Sequence, residues 1–340
     1  MLYFRNDYSE GACPQVLDAL ADTNLIPTAG YGTDQFCAAA ADAIRSLCEA
    51  PEAQVHFLVG GTQVNKTAIG AFLRPYEAVI AADTGHICVH ETGAIEQNGH
   101  KILALPVQDG KLTAGLVRAA VERHCDEHMV LPRLAYISNT TEVGTVYSLS
   151  ELTALSGCCR ELGLLLYCDG ARLASAMTVE GADTSFADYA RLCDAFTIGG
   201  TKNGLLFGEA LVLTNPALFP HFRHAMKQQG AILAKGRLLG VQFDAVLRDG
   251  LYLQLARHAN AMAAKLRQGL LELGYSMAVN SPSNQIFPIL TPAQEERLQE
   301  ECAFEVQSRD DRGVCVRFVT SWATREEDVD ALLKLMKENA

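Results

Sequence analysis

The sequence predicts an α/β fold, a mostly parallel sheet covered by helices and followed by a smaller α+β lobe. Three observations predict it. Apolar runs of strand length alternate with stretches of helical periodicity over the first part of the chain. Those runs are nearly continuous in aliphatic residues, as strands buried on both faces must be. Beyond residue 213 the pattern changes to long helices separated by short strands.

In chain order, strands are predicted at 55–59, 79–82, 102–105, 134–137, 164–168, 196–198 and 209–213. Between them, helical periodicity covers 34–48, 62–73, 114–128 and 150–162. The last of these is opened by Ser148-Leu149-Ser150-Glu151, where a serine hydroxyl can accept from a free amide of the first turn. Long helices at 235–248 and 251–273, strands at 285–289 and 314–319 and a closing helix at 326–337 make up the second lobe. The expected division is a large domain over 21–248, with 1–20 and 249–340 together forming the small one.

Composition narrows the class further. Hydrophobic residues are 49% and charged residues 20% of 340, which is ordinary for a globular protein with a substantial core. A net charge of −12 argues against nucleic acid or an anionic membrane as partner, so a small anionic substrate would need local basic groups. No apolar stretch reaches the length of a membrane span, and Met1 to Asp7 is not a basic segment leading into an apolar one. A cytoplasmic protein is expected. The eleven cysteines are odd in number and lack CxxC spacing, so they read as reduced thiols, with Cys158-Cys159 packed in a helix and no metal site.

Five features carry chemistry. Gly60-Gly61-Thr62-Gln63-Val64-Asn65 joins a strand to a helix, where bare glycines, first-turn amides and the Thr62 hydroxyl can hold a phosphate. A tight turn with Thr62 as cap is the plain alternative. Residues 60–67 also run one residue short of a nucleotide-binding P-loop ending in Lys66-Thr67, but Asn65 stands where the backbone needs glycine. A P-loop NTPase is therefore the competing reading from another class. Asp169-Gly170-Ala171-Arg172 ends the most apolar strand, where an aspartate can keep a heteroaromatic ring nitrogen protonated; an Asp-Gly turn with a surface arginine is the bland reading. Lys202, in Gly199-Gly200-Thr201-Lys202-Asn203-Gly204, becomes a nucleophile if desolvated or set beside another cation. His86 follows a strand and can stack on a ring or exchange protons, and Arg317 lies in an apolar strand where its fork seeks a carboxylate, phosphate or structural ion pair.

Taken in order, Gly61-Thr62, His86, Asp169-Gly170-Ala171-Arg172 and Thr201-Lys202, each after its own strand, resemble the threonine aldolase family of fold-type I pyridoxal phosphate enzymes. The resemblance runs nearly end to end, through Asn6-Asp7-Tyr8-Ser9, Gly30-Tyr31-Gly32 and Arg317-Phe318-Val319-Thr320. It implies a seven-stranded, aspartate aminotransferase-like sheet and pyridoxal 5′-phosphate as cofactor, carried as a Schiff base on Lys202. It further implies Asp169 at the pyridine nitrogen, His86 stacked on the ring and serving catalysis, and Gly61 and Thr62 at the phosphate. Arg172 and Arg317 would take the substrate carboxylate, with Asn6 standing where the family has serine. Tyr31, and more weakly Lys235, would reach a neighbouring subunit's site in a homodimer or homotetramer.

The implied reaction is cleavage of L-threonine, L-allo-threonine and related β-hydroxy amino acids to glycine and an aldehyde. A β-eliminating lyase or an aminotransferase would use nearly the same residues. Where many family members read Asn-Thr-His, this chain has Asn139-Thr140-Thr141, which leaves the base unassigned.

Overall fold

The seven apolar runs pair edge to edge into one sheet in the computed structural model, which describes residues 1–338. They are β1 (Gln54–Leu58), β2 (Glu77–Ala82), β3 (Lys101–Leu105), β4 (Leu131–Ser138), β5 (Leu165–Asp169), β6 (Ala195–Gly199) and β7 (Glu209–Leu213). Their spatial order is β1-β7-β6-β5-β4-β2-β3. All pairings are parallel except those of β7, which runs against both of its neighbours.

Burial explains why these strands read as unbroken apolar runs: every residue of β2, β5, β6 and β7 is buried. Successive side chains still divide between two cores. In β2, Ala78, Ile80 and Ala82 enter one core while Val79 and Ala81 enter the other. Helices Leu149–Leu162 and Arg237–Leu247 cover the first face, and Gly61–Phe72 and Phe222–Gln228 cover the second. Helix Leu149–Leu162 starts at Ser148, which accepts from Glu151 N in a reciprocal capping box, and it buries Cys158 and Cys159.

The smaller lobe holds β8 (Met277–Val279), β9 (Gln285–Leu290), β10 (Glu305–Asp310) and β11 (Gly313–Val319) in an antiparallel sheet of order β10-β11-β9-β8. Its core joins Val316 and Phe318 to Val329 and Leu332 of the closing helix Glu326–Glu338. Residues 1–20 divide between the lobes. Leu2–Tyr3 pairs with Cys302–Ala303 and Phe4 enters the small core, whereas Ala12, Cys13 and Val16 enter the large one. Helix Leu251–Glu272 belongs to both, with Tyr252 and Ala256 in the large core and Leu266 and Leu270 in the small. Local features also depart from the sequence reading. The helix predicted over 114–128 ends at Arg123, and β10 was not predicted because its exposed sequence, EVQSRD, has no apolar alternation. Among the described residues no helix is long and apolar enough to cross a membrane.

This topology fixes where chemistry can happen. The carboxyl ends of β1, β4, β5 and β6 share one edge of the sheet, the edge at which ligands bind in open α/β folds. Because β7 is antiparallel, it brings its first residue to the same edge, with Glu209 opposite both Leu58 and Gly199.

Candidate active site

A cavity of about 520 Å³ opens at that edge, a volume suited to a small-molecule ligand. One end is the start of helix Gly61–Phe72. Gly60 is its N-cap and offers no side-chain cap, so the first-turn amides have no acceptor within the helix. A Cβ added at Gly60 or Gly61 would meet no atom within 4 Å, which leaves open space in front of those amides and beside exposed Thr62. An uncapped helix start facing an open hollow is a seat for an anion such as phosphate.

The floor is Asp169, at the end of β5. Its Oδ2 accepts from Asn65 Nδ2 (2.9 Å) and Tyr136 OH (2.7 Å), and its Oδ1 accepts from Ala171 N (2.9 Å). Gly170 is required here, because a Cβ would lie 1.9 Å from the Thr197 carbonyl oxygen. Across the cavity, Lys202 sits in the β6–β7 turn, which is closed by Gly200 N and Thr201 N donating to Gly208 O and by Gly208 N donating to Thr201 Oγ1. Burial and then the Arg172 cation push the Lys202 ammonium below the ordinary lysine range, outweighing Asp7, Asp169 and Glu209. A lysine so placed is a nucleophilic amine.

His86 stands on the loop after β2. Its Nδ1 lies 2.7 Å from Oε1 of buried Glu91, and a carboxylate can only accept, so Nδ1 carries the proton and Nε2 is left as the basic nitrogen. The His86 amide donates to Glu142 Oε1 (3.0 Å), which also accepts from Ser138 Oγ (2.7 Å). Burial raises the Glu142 carboxyl above the usual range despite its Ser138 hydrogen bond.

Two arginines enter from different lobes. Arg172 gives Nε and Nη2 to the oxygens of Asp7 at 2.7 and 3.0 Å, and Asn284 Nδ2 also donates to Asp7 (2.9 Å). Burial alone would raise the Asp7 carboxyl; the charges of Arg172 and Lys202 and these hydrogen bonds hold it below the usual range. Arg317, on β11, has a buried Nε with no partner. It is the freer of the two forks.

The cavity thus gathers Gly61, Thr62, His86, Asp169, Arg172, Lys202 and Arg317. Asn6 and Tyr31 are not among its lining residues. Asn6 Oδ1 accepts from Tyr8 N and Ser9 Oγ, shaping the turn that presents Asp7 and Tyr8. Tyr31, with φ 62° and 51% exposed, borders a separate hollow and has Lys227 Nζ over its ring, and Lys235 is exposed. Thr141 is buried, its hydroxyl paired with Thr145, and does not line the cavity. The P-loop reading does not hold: Lys66 and Thr67 lie inside helix Gly61–Phe72, beyond its first turn, and Thr67 is buried. Sequence reasoning missed Tyr8, His90, Ser138, Glu142 and Glu209 as lining residues. Glu209 alone left a signal, a carboxylate opening an otherwise apolar strand.

An anion seat at a helix start, a carboxylate beyond a parallel strand and a desolvated lysine facing both define a fold-type I pyridoxal phosphate enzyme, and the residues present fit that cofactor. The family model for beta-eliminating lyases matches residues 4–291. The low specificity L-threonine aldolase of Pseudomonas aeruginosa is 34% identical over 97% of this chain and 96% of its own length, and that of a Pseudomonas sp. is 34% identical over 97% and 95%. A solved threonine aldolase from Leishmania major is 48% identical, with a TM-score of 0.98 over 100% of both chains. Aspartate aminotransferase of Thermus thermophilus, at 16% identity and TM-score 0.75 over 100% of this chain and 92% of its own, shares the fold alone. The chain belongs to the beta-eliminating lyase family, in its threonine aldolase branch.

Proposed function

We propose that this lyase cleaves L-threonine, L-allo-threonine and related β-hydroxy amino acids to glycine and an aldehyde. The observation that carries the reading is the desolvated Lys202 amine sharing one cavity with the thrice hydrogen-bonded Asp169 carboxylate and the uncapped helix start at Gly60. Gly61 and Thr62 would hold the cofactor's phosphate, Asp169 its ring nitrogen, His86 its ring face and Lys202 its aldehyde carbon. Pyridoxal phosphate bound there supplies an electron sink for the pair released at Cα when the Cα–Cβ bond breaks.

The remaining work falls to the chain's own groups. Arg317, with the edge of Arg172 not taken by Asp7, would seat the substrate carboxylate and so hold the substrate in one orientation in the cavity. His86 Nε2 takes the β-hydroxyl proton while Glu91 holds the proton on Nδ1. Lys202 would hold the cofactor through its amine nitrogen, and its lowered pKa favours the neutral, nucleophilic form of that amine.

The same reading has a cytoplasmic homodimer or homotetramer whose sites lie at subunit interfaces. Its supports are the unpaired state of all eleven cysteines, which suits a reducing compartment, and Tyr31, exposed outside its own chain's cavity. The test is direct. Purified protein with added pyridoxal phosphate should show a visible band that borohydride bleaches and that Lys202→Ala lacks, and threonine should yield glycine plus acetaldehyde. A colourless protein would overturn the cofactor assignment. Ammonia and a keto acid in place of glycine would make it an eliminating enzyme.

A further inference from the structure

Asn65 is 1% exposed and lies one turn into the helix that carries the anion seat. Its amide nitrogen has two hydrogens, and each meets a carboxylate: one Glu91 Oε1 at 2.7 Å, the other Asp169 Oδ2 at 2.9 Å. Its oxygen accepts from Tyr167 OH at 2.8 Å. The reverse amide orientation would set its oxygen against two carboxylate oxygens, so the assignment is forced by its neighbours. Each carboxylate oxygen has one further donor, His86 Nδ1 on Glu91 and Tyr136 OH on Asp169. Glu91 Oε2 has no partner, so Glu91 holds both donors on one oxygen. A continuous hydrogen-bonded path therefore runs from the His86 ring through Glu91, Asn65 and Asp169 to Tyr136.

We propose that Asn65 is a positioning residue that yokes Glu91 to Asp169, so that the protonation of His86 and of the cofactor's ring nitrogen are set together. The inference rests on the pyridoxal phosphate reading above. Asparagine suits the position because two buried carboxylates must be held close without a third charge. Aspartate would add that charge, and an apolar side chain would leave both carboxylates short of a donor. With one donor fewer, each carboxylate becomes the stronger acceptor for the proton on its other side. Loss of the yoke thus tightens the hold of Glu91 on the His86 Nδ1 proton and of Asp169 on a proton at the ring nitrogen.

The experiment uses holoenzyme variants Asn65→Leu and Glu91→Gln and their combination, with Tyr167→Phe as a control that keeps both donors. Three readouts are followed: affinity for pyridoxal phosphate, the pH midpoint of the visible band, and the acid limb of kcat/KM. Asn65→Leu is expected to move both pH values upward, by about one unit for the loss of a hydrogen bond to a charged group, while affinity for pyridoxal phosphate is kept or increased. Glu91→Gln alone should shift the band, and most of that shift should vanish in the Asn65→Leu background, as coupled sites require. Tyr167→Phe should leave both pH values in place. Asn65→Ser takes the leucine variant's role if that variant does not fold. A band and acid limb that stay at wild-type pH, or a Glu91→Gln shift undiminished without Asn65, overturns the proposal while the functional reading stands. A wild-type protein with no visible band overturns both.

Discussion

Asp169 and Arg317 line one cavity, yet their hydrogen bonding differs sharply. The Asp169 carboxylate accepts from three donors, and its neighbour Asn65 is bonded at both ends of its amide. On the other walls, Arg317 Nε and Glu209 Oε2 are buried with no partner. Buried polar groups are nearly always satisfied, so the Asp169 carboxylate is complete by itself while Arg317 Nε and Glu209 Oε2 still want a partner. The floor sets the electronics of the site, and the walls sort what enters it.

The largest expected effect tests that split from the floor. His86→Phe keeps an aromatic face against the cofactor and removes Nε2, so kcat should fall roughly 10²- to 10⁴-fold while cofactor affinity is largely kept. Steady-state kinetics beside a cofactor titration would check it; an equal loss in both would reduce His86 to a packing role. Next in size, Arg317→Leu should raise KM for threonine roughly 10- to 100-fold, the worth of one charged hydrogen-bonding partner, with a smaller change in the visible band's pH midpoint. An unchanged KM would shift the carboxylate seat to Arg172, despite its bond to Asp7.

The smallest effect concerns stability and sharpens the contrast from the wall. Burial pushes the Glu209 carboxyl up to about 8, against the Thr201 hydroxyl and the Lys202 charge that favour its ionised form. A carboxyl that keeps its proton longer folded than unfolded makes folding take up a proton between the ordinary value of 4.5 and about 8. Its contribution is therefore full at acid pH and is lost as pH rises through that window. In cofactor-free protein, Glu209→Gln should leave Tm nearly unchanged near pH 5 and raise it by a few degrees near pH 8.5, on the usual scaling of Tm with stability. A Tm difference that does not grow with pH would refute the buried, protonated state.

How far the sequence could anticipate all this depended on whether a feature was local. Strands buried on both faces announce themselves as aliphatic runs, whereas β10, an exposed edge, does not. Lys202 and Asp169 were legible because each follows such a run and borders glycines. Glu209 showed only as a carboxylate opening an apolar strand; its place at the site follows from β7 being antiparallel, and pairing direction leaves no mark on neighbouring residues. Asn65 was noticed solely as a missing P-loop glycine; its role depends on Glu91 and Asp169, 26 and 104 residues away. Asn6 and Tyr31 mark the opposite limit, where a resemblance named residues whose side chains turn elsewhere in their own chain.

Helix Leu251–Glu272 is rooted in both cores, with Tyr252 packed in one and Leu270 in the other. Lys202 stands on the first lobe and Arg317 on the second, so the gap between the group that receives an amine and the group that receives a carboxylate is not a property of either lobe. It depends on how the lobes are tied, by this helix and by Asp7, which accepts from Arg172 of one lobe and Asn284 of the other. A substrate held at both groups would therefore feel a change in those ties, even one made far from the cavity.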